Sequence, residues 1–454
     1  MVQMTNELER DDAGQTQARL AELAREVLAR CRARGAGQAE VDLSEERGLS
    51  VGVRLGEVET VEYTRDRGLS LTVYFGTRKA SASTADLDPG SIEATIEQAC
   101  AIARYTEEDP CAGLADAARM ATRFPDFDLW HPLPLDADAA IARALACEEA
   151  GRAADARIAN SEGANASQSQ SIGVYANSHG FLGAESGTSH GLSLSLIAGE
   201  GEAMQRDYWY DGHCHPDVLA SPETVGRRAA ERTVARLDPR AAPTGTYPVL
   251  YSAEVARSLI GHLLGAVSGG ALYRRASFLL DHLGKPVLPR GIDLIERPHL
   301  LRGHRSAAFD AEGVETRESA LVERGVLARY LLGSYSARKL GMESTGNAGG
   351  VHNLAITTGR DDLAALLRGM GRGLLVTELM GQGVNAITGD YSRGAAGFWV
   401  EGGEIAYAVD EATIAGSLKD MLLGIEAVGC DVDPRSHIAT GSILVGRVMV
   451  AGGE

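Results

Sequence analysis

The chain has 454 residues, room for about three domains and a substantial buried core. A formal charge of −18 sets its surface against phosphate backbones and anionic lipid, which argues against nucleic-acid and membrane partners. The charged (23%) and apolar (44%) fractions are those of a soluble globular protein, so the outlier is glycine: 54 residues, implying many tight turns or backbone lying close to something.

The N-terminal MVQMTNELERDD is acid-rich and lacks the apolar stretch of a signal peptide. No apolar run of about 18 residues occurs, so no transmembrane helix is expected. Cys31, Cys100, Cys111, Cys147, Cys214 and Cys430 are scattered without a CxxC pair, which reads as reduced thiols in the cytoplasm.

Leu20, Leu23, Val27 and Cys31 fall at helical spacing within residues 15–34, and Gly35 and Gly37 end that helix. From Val41 to Thr84 the period becomes two: LSVGVRLG, VETVEYTR and LSLTVYFG read as three strands, parted by hairpin turns at Gly-Glu and Asp-Arg-Gly. Ser91 caps a second helix with Ile92, Ile96, Ala99 and Ala103 on one face. Residues 107–134 are proline-rich connector. The pattern then repeats: an Ala-rich helix over 136–157, strands over 159–210 with a hairpin at Asn177–Gly180, and a helix over 216–237.

DPRAAPTGTYP (238–248) is the clearest linker and the expected site of protease entry. Beyond it come YPVLYS as a strand, a helix carrying His262, and hairpins at Glu312-Gly313, Arg324-Gly325 and Gly402-Gly403. A helix near 417–425 and the strand SILVGRVMV close the chain. These signals predict a helical segment over 1–40, a first α/β portion over 41–106, a central one over 131–238 and a β-rich C-terminal portion over 245–454. The fold class is α+β, with two helix–meander–helix portions that suggest a duplicated or pseudo-symmetric unit, and a large, mostly antiparallel C-terminal sheet. The glycine-rich run GLLVTELMGQGVNAITG is expected to expose an apolar strand edge, and with it a two-fold assembly.

Candidate chemistry is sparse. Among eleven histidines, His213 and His215 flank Cys214, either on one strand face or in a solvated loop. His262 alone reads as a hydrogen-bonded core histidine. GMGRGLL follows a helix and precedes a strand, the reverse of a dinucleotide loop. Ser344 and Ser392 lie in glycine-flanked turns outside any G-x-S-x-G context. The glycine-rich stretches suit pairing with a peptide through main-chain hydrogen bonds, with Asn347, His352, Asn353, Asp390 and Arg393 as candidate peptide contacts; tight hairpin packing is the plain alternative.

TGNAGGVHN (345–353), GVNAITGDYSRGAAGFWVE, GALYRRASFLLD and RESALVERGVLARYLLGSYSARKLG resemble the TldD/PmbA family of two-subunit metallopeptidases. In the TldD half of that family a helix bearing HExxxH, with a cysteine near the C-terminus, binds the metal. Here the matching helix is ARSLIGHLLGAVSGG, where Arg257 and Ser258 stand at the first His and Glu and His262 is the only remnant; Cys430 lies several residues too early. The resemblance therefore implies the PmbA (TldE) half: no catalytic residue and no cofactor in this chain, zinc in a TldD-like partner, and an isolated chain that is inactive. It implies a cytoplasmic complex that degrades unfolded peptides or processes peptide precursors. A non-catalytic, homodimeric peptide-binding or regulatory protein is the alternative.

Overall fold

The computed structural model describes residues 2–453, with side chains from residue 13 onward. α1 (Val2–Ala33) leads into β1 (Gln38–Arg54), β2 (Glu57–Phe75) and β3 (Arg78–Thr84), followed by α2 (Pro89–Ala103). α3 (Ala137–Ala153), β4 (Ile158–Asn177), β5 (Leu182–Ala198), β6 (Gln205–His213) and α4 (Pro222–Ala235) repeat that order. The six strands form one sheet, β3-β2-β1-β4-β5-β6, in which β1 and β4 pair antiparallel from Glu40↔Asn177 to Val53↔Ala164. The two helix–meander–helix units therefore meet edge to edge about a pseudo-two-fold between β1 and β4.

Alternation explains why all four helices lie on one face. Val41, Leu43, Leu49 and Val51 point to that face, and Asp42, Ser44 and Ser50 to the other. α1 and α2 cover the end of the sheet holding Val41, Leu69 and Val174, and α3 and α4 the end holding Val51, Ala166 and Leu194. Burying each such aliphatic side chain contributes about 1.5–3 kcal/mol. α3 and α4 touch through glycine: a Cβ on Gly226 would lie 2.3 Å from the Cys147 carbonyl oxygen.

One expected turn is absent. VETVEYTR and LSLTVYFG are a single 19-residue strand, and Asp66-Arg67-Gly68 runs straight through it opposite Glu46, Glu45 and Ser44. Arg67 Nε lies 3.1 Å from Glu45 Oε1, so the polar triplet is satisfied across the ladder rather than in a turn. The actual reversal is at Leu55-Gly56, both with positive φ.

The C-terminal region holds β7 (Gly245–Tyr251), α5 (Ala253–Ala266), α6 (Gly269–Tyr273), β8 (Leu294–Glu296), β9 (Ser319–Glu323), β10 (Val326–Leu327), α7 (Ser334–Leu340), β11 (Leu354–Ile356) and α8 (Leu363–Met370). It continues with β12 (Gly373–Met380), β13 (Asp390–Glu401), β14 (Glu404–Ser417), α9 (Leu418–Leu423), β15 (Ile425–Val428), β16 (Ile438–Ala439) and β17 (Ile443–Ala451). Its main sheet runs β14-β13-β12-β7-β17-β15, and β14 pairs back onto β17, closing five strands into a ring around Trp399, Tyr251 and Val249. A small sheet, β10-β9-β8-β11-β16, packs beside it.

One expectation needs correction here. The glycine-rich run at 373–389 begins as β12, which pairs with β13 along its length and with β7 over Leu374–Val376, so its apolar start is paired on both sides and Thr377–Met380 on one. Within the 238–248 linker, Arg240 N donates to Ala408 O, Ala242 is buried, and Gly245–Pro248 belongs to β7. Polar clamps join this region to the first sheet. Arg236 pairs with Asp207 and Glu378, and Arg435 stacks on Trp209 and Tyr210. Among the described residues no helix is long and apolar enough to cross a membrane.

Candidate functional site

A groove of about 530 Å³ opens at the α5–α6 junction, between Leu264, Ser268, Tyr273 and Tyr335 on one side and Asn347–Val351 on the other. Its second wall is the TGNAGGVHN loop, which reverses through positive φ at Gly346, Gly349 and Gly350 before entering β11. A buried carboxylate holds that loop. Glu296, 3% exposed on β8, accepts from Asn347 Nδ2 (2.9 and 3.1 Å), His352 N (2.7 Å) and His352 Nδ1 (3.0 Å), and pairs with Arg329. Burial alone would raise its carboxyl, but the His352 hydrogen bonds, the Arg329 charge and the Asn347 bond outweigh it and hold it down at about 2.

Asp310 fixes the other end of the loop by accepting from Ala348 N (2.9 Å). Burial pushes this carboxyl up to about 6 despite its backbone N–H donors. Across the groove wall, Glu185 faces His352 and Asp42 from the polar side of the first sheet. Solvent reaches Glu185, yet the surrounding protein strips enough hydration to push its carboxyl up to about 7. A raised carboxyl stabilises the fold below its unfolded pKa, and that contribution is lost as pH climbs from about 4.5 toward 7. Glu185→Gln is therefore expected to raise the thermal midpoint at pH 8 and leave it unchanged at pH 4, as scanning calorimetry at the two pH values will read.

The structure gathers Asn347, His352 and Asn353 in one place but consumes most of their polar atoms. Asn347 Oδ1 accepts from Arg329 and Thr345, while Asn353 bonds the Arg305 backbone N and Ser306. These side chains shape the loop, and its glycine backbone is what faces the groove. Asp390 and Arg393 lie apart, on β13; Asp390 accepts from Thr388, and Arg393 donates to Met380 O. Glu296 and Arg329, the centre of the network, went unread in the sequence. The only signal was a charge beside apolar residues in LIE and VLARYLL, which burial permits only with a partner.

His262 differs from the expected hydrogen-bonded core histidine. Its ring packs edge-on against Tyr391, centroids 5.9 Å apart, and its buried Nε2 has no hydrogen-bond partner. Burial and then the Arg393 charge lower its pKa. Ser258, one helical turn earlier, likewise has a buried, unpartnered hydroxyl, and the buried Tyr251 and Tyr391 hydroxyls have only each other. His213, Cys214 and His215 form a turn, with His213 Nδ1 accepting from His215 N (3.0 Å). The His131 ring lies tilted against His215, centroids 4.1 Å apart, and His304 meets His213 edge-on at 6.2 Å. Among the described residues no group of three or more His, Cys, Asp or Glu side chains is placed to hold a metal ion.

Sequence profiles described as PmbA/TldA metallopeptidase domain 1, central domain and C-terminal domain match residues 39–103, 130–237 and 244–452. The chain is 50% identical over 415 residues to Metalloprotease PmbA of Escherichia coli O157:H7, covering 91% of this chain and 92% of that one. It is 49% identical, with the same coverage, to the Metalloprotease PmbA homolog of Haemophilus influenzae. In structure it resembles a putative modulator of DNA gyrase from Bacteroides thetaiotaomicron, with a TM-score of 0.90, 28% identity and coverage of 95% and 98% of the two chains. TldE of Thermococcus kodakarensis shares the fold at a TM-score of 0.82 and 21% identity, covering 94% of this chain and 99% of its own.

Proposed function

This chain belongs to the PmbA/TldD metallopeptidase family, and from that premise we propose that it is the PmbA-type subunit of a cytoplasmic zinc peptidase. It binds extended, unfolded peptide, while a TldD-like partner supplies the metal chemistry. The observation that carries the peptide-binding half is the loop at 345–353: the Asn347 and His352 side chains are spent on Glu296, the Ala348 and Gly350 backbones bond Asp310, Ala311 and Asn347, and among the described residues the backbone of Gly349 lines the groove without a hydrogen-bond partner. Glycine backbone in an open groove pairs with a peptide main chain regardless of its sequence, which suits an unfolded substrate. The free state of all six cysteines supports a reducing compartment.

The residues around His262 do not fit a zinc ion. Zinc needs three or more converging imidazole, thiolate or carboxylate ligands, and here the neighbours are hydroxyls and the Arg393 guanidinium. No metal step is assigned to this chain. Its residues bind and orient peptide, and the groove walls limit entry to extended chain.

Two measurements test this. Gly349 sits at φ +86, with Ala311 Cβ 3.3 Å from where a side chain would begin, so Gly349→Val closes the groove at a strained position. Fluorescence anisotropy with a labelled unfolded peptide should show binding at least about tenfold weaker, or about 1.4 kcal/mol, with an unchanged circular dichroism spectrum. Equal affinity, or no binding by the parent chain, overturns the groove assignment. Mixed with a TldD-like partner, the chain should support chelator-sensitive hydrolysis that His262→Ala leaves intact. Stoichiometric zinc in the isolated chain, lost in His262→Ala, contradicts the metal-free reading.

A further inference from the structure

The groove at the α5–α6 junction carries opposite charges at the two ends of its loop wall, and both Glu312 and Arg305 line it. At one end, a Cβ on Gly333 would lie 3.2 Å from Ala348 Cβ and 3.3 Å from Glu312 Oε1. At the other, a Cβ on Gly350 would lie 3.7 Å from Arg305 Nη1. Between them Gly349 faces Ala311, which brings no charge. Each charged group is tethered to backbone. Glu312 Oε2 accepts from Ser334 N (2.8 Å), and Arg305 Nη1 donates to Val351 O (3.2 Å). Among the described residues neither has an ion-pair partner.

The surroundings sharpen this polarity. Burial and, among lesser causes, the Glu312 charge raise the carboxyls of Asp310 and Glu40, so Glu312 sits among its own kind and a cation there would relieve it. Burial and then the Arg305 charge lower His437 at the opposite end. The other nearby cations are engaged: Lys339 pairs with Asp109, and Arg274 and Lys79 lie over the Tyr273 and Tyr335 rings.

We propose that the groove selects extended peptide carrying a basic side chain at the Glu312 end and an acidic side chain at the Arg305 end. The inference rests on the groove being the peptide site. Main-chain pairing at Gly349 holds any extended segment, and the two charges add a preference among segments. Ala348 and Gly350 are two residues apart, so the wall between the charges spans no more than about 7 Å. Side chains at i and i+2 of a strand share one face at about that separation, which makes Lys-x-Glu, read in either chain direction, the matching pattern.

Fluorescence anisotropy with four labelled peptides tests this. All are alanine–serine sequences blocked at both ends, and they carry no charge, one Lys, one Glu, or Lys-x-Glu. The parent chain should bind the Lys-x-Glu peptide at least about threefold tighter than the neutral one, the scale of exposed ion pairs. Glu312→Gln keeps an acceptor for Ser334 N and should abolish only the gain from Lys; Arg305→Gln should abolish only the gain from Glu. The neutral peptide should bind all three proteins equally, and high salt should erase the preference without affecting that binding. Circular dichroism confirms folding. A parent that binds charged and neutral peptides alike, or substitutions that weaken all four equally, overturns the charge selection and leaves the groove assignment standing. A parent that binds none of the four overturns the groove assignment and this inference with it.

Discussion

Glu296→Ala is expected to cost about 3–5 kcal/mol of stability, the largest single-residue effect in the C-terminal region. The substitution leaves the Arg329 guanidinium, 15% exposed, without its partner, and strips His352 and Asn347 of the acceptor that positions the groove loop. Urea denaturation at pH 7 reads the loss, and the peptide anisotropy assay should lose its signal with it. The pH dependence carries a definite sign. The carboxyl titrates at about 2 in the fold against an unfolded value near 4.5, so its contribution is complete above pH 4.5 and disappears as pH falls toward 2. Glu296→Gln should flatten that part of the stability profile. A variant within about 0.5 kcal/mol of the parent, the usual range for surface substitutions, would show that the network does not hold the loop.

Arg435→Ala should loosen the C-terminal region from the first sheet, at a cost of about 3 kcal/mol. The guanidinium lies 3.9 Å from the centre of the Trp209 ring and 4.7 Å from that of Tyr210, and donates to Tyr210 O at 2.9 Å. It also pairs with Asp433 and Glu254, and removing it leaves Asp433, 7% exposed, with the residue-435 backbone N–H and Arg257 at 3.9 Å. Arg435→Lys is not expected to rescue the contact, because an ammonium cannot stack on two rings and fork to two carboxylates at once. Hydrogen exchange should rise in β6 and across residues 236–244, with little change in β1 and β4. Uniform exchange across the chain would show global destabilisation without separation of the two regions.

The sequence by itself determined the elements and the family. Near-alternation of apolar and polar residues in Val41–Val53, glycine pairs at the Gly402-Gly403 turn, and caps such as Asp136 act over a few residues, so local order reveals them. The expected Asp-Arg-Gly turn failed because Glu45, some twenty residues earlier, satisfies Arg67 across the ladder. The expected free edge is lost over Leu374–Val376 because β7 and β13 take both sides of β12 there, and strand order is not written in any one strand. The candidate site was half legible: TGNAGGVHN marked the groove wall, but Glu296 and Arg329 acquire meaning only where β8, β10 and the loop converge. Only the tertiary structure decided which polar side chains are spent holding backbone and which backbone is left to meet a ligand. A buried charge is stabilised by partners distant in sequence, and only folding brings those partners within hydrogen-bonding distance.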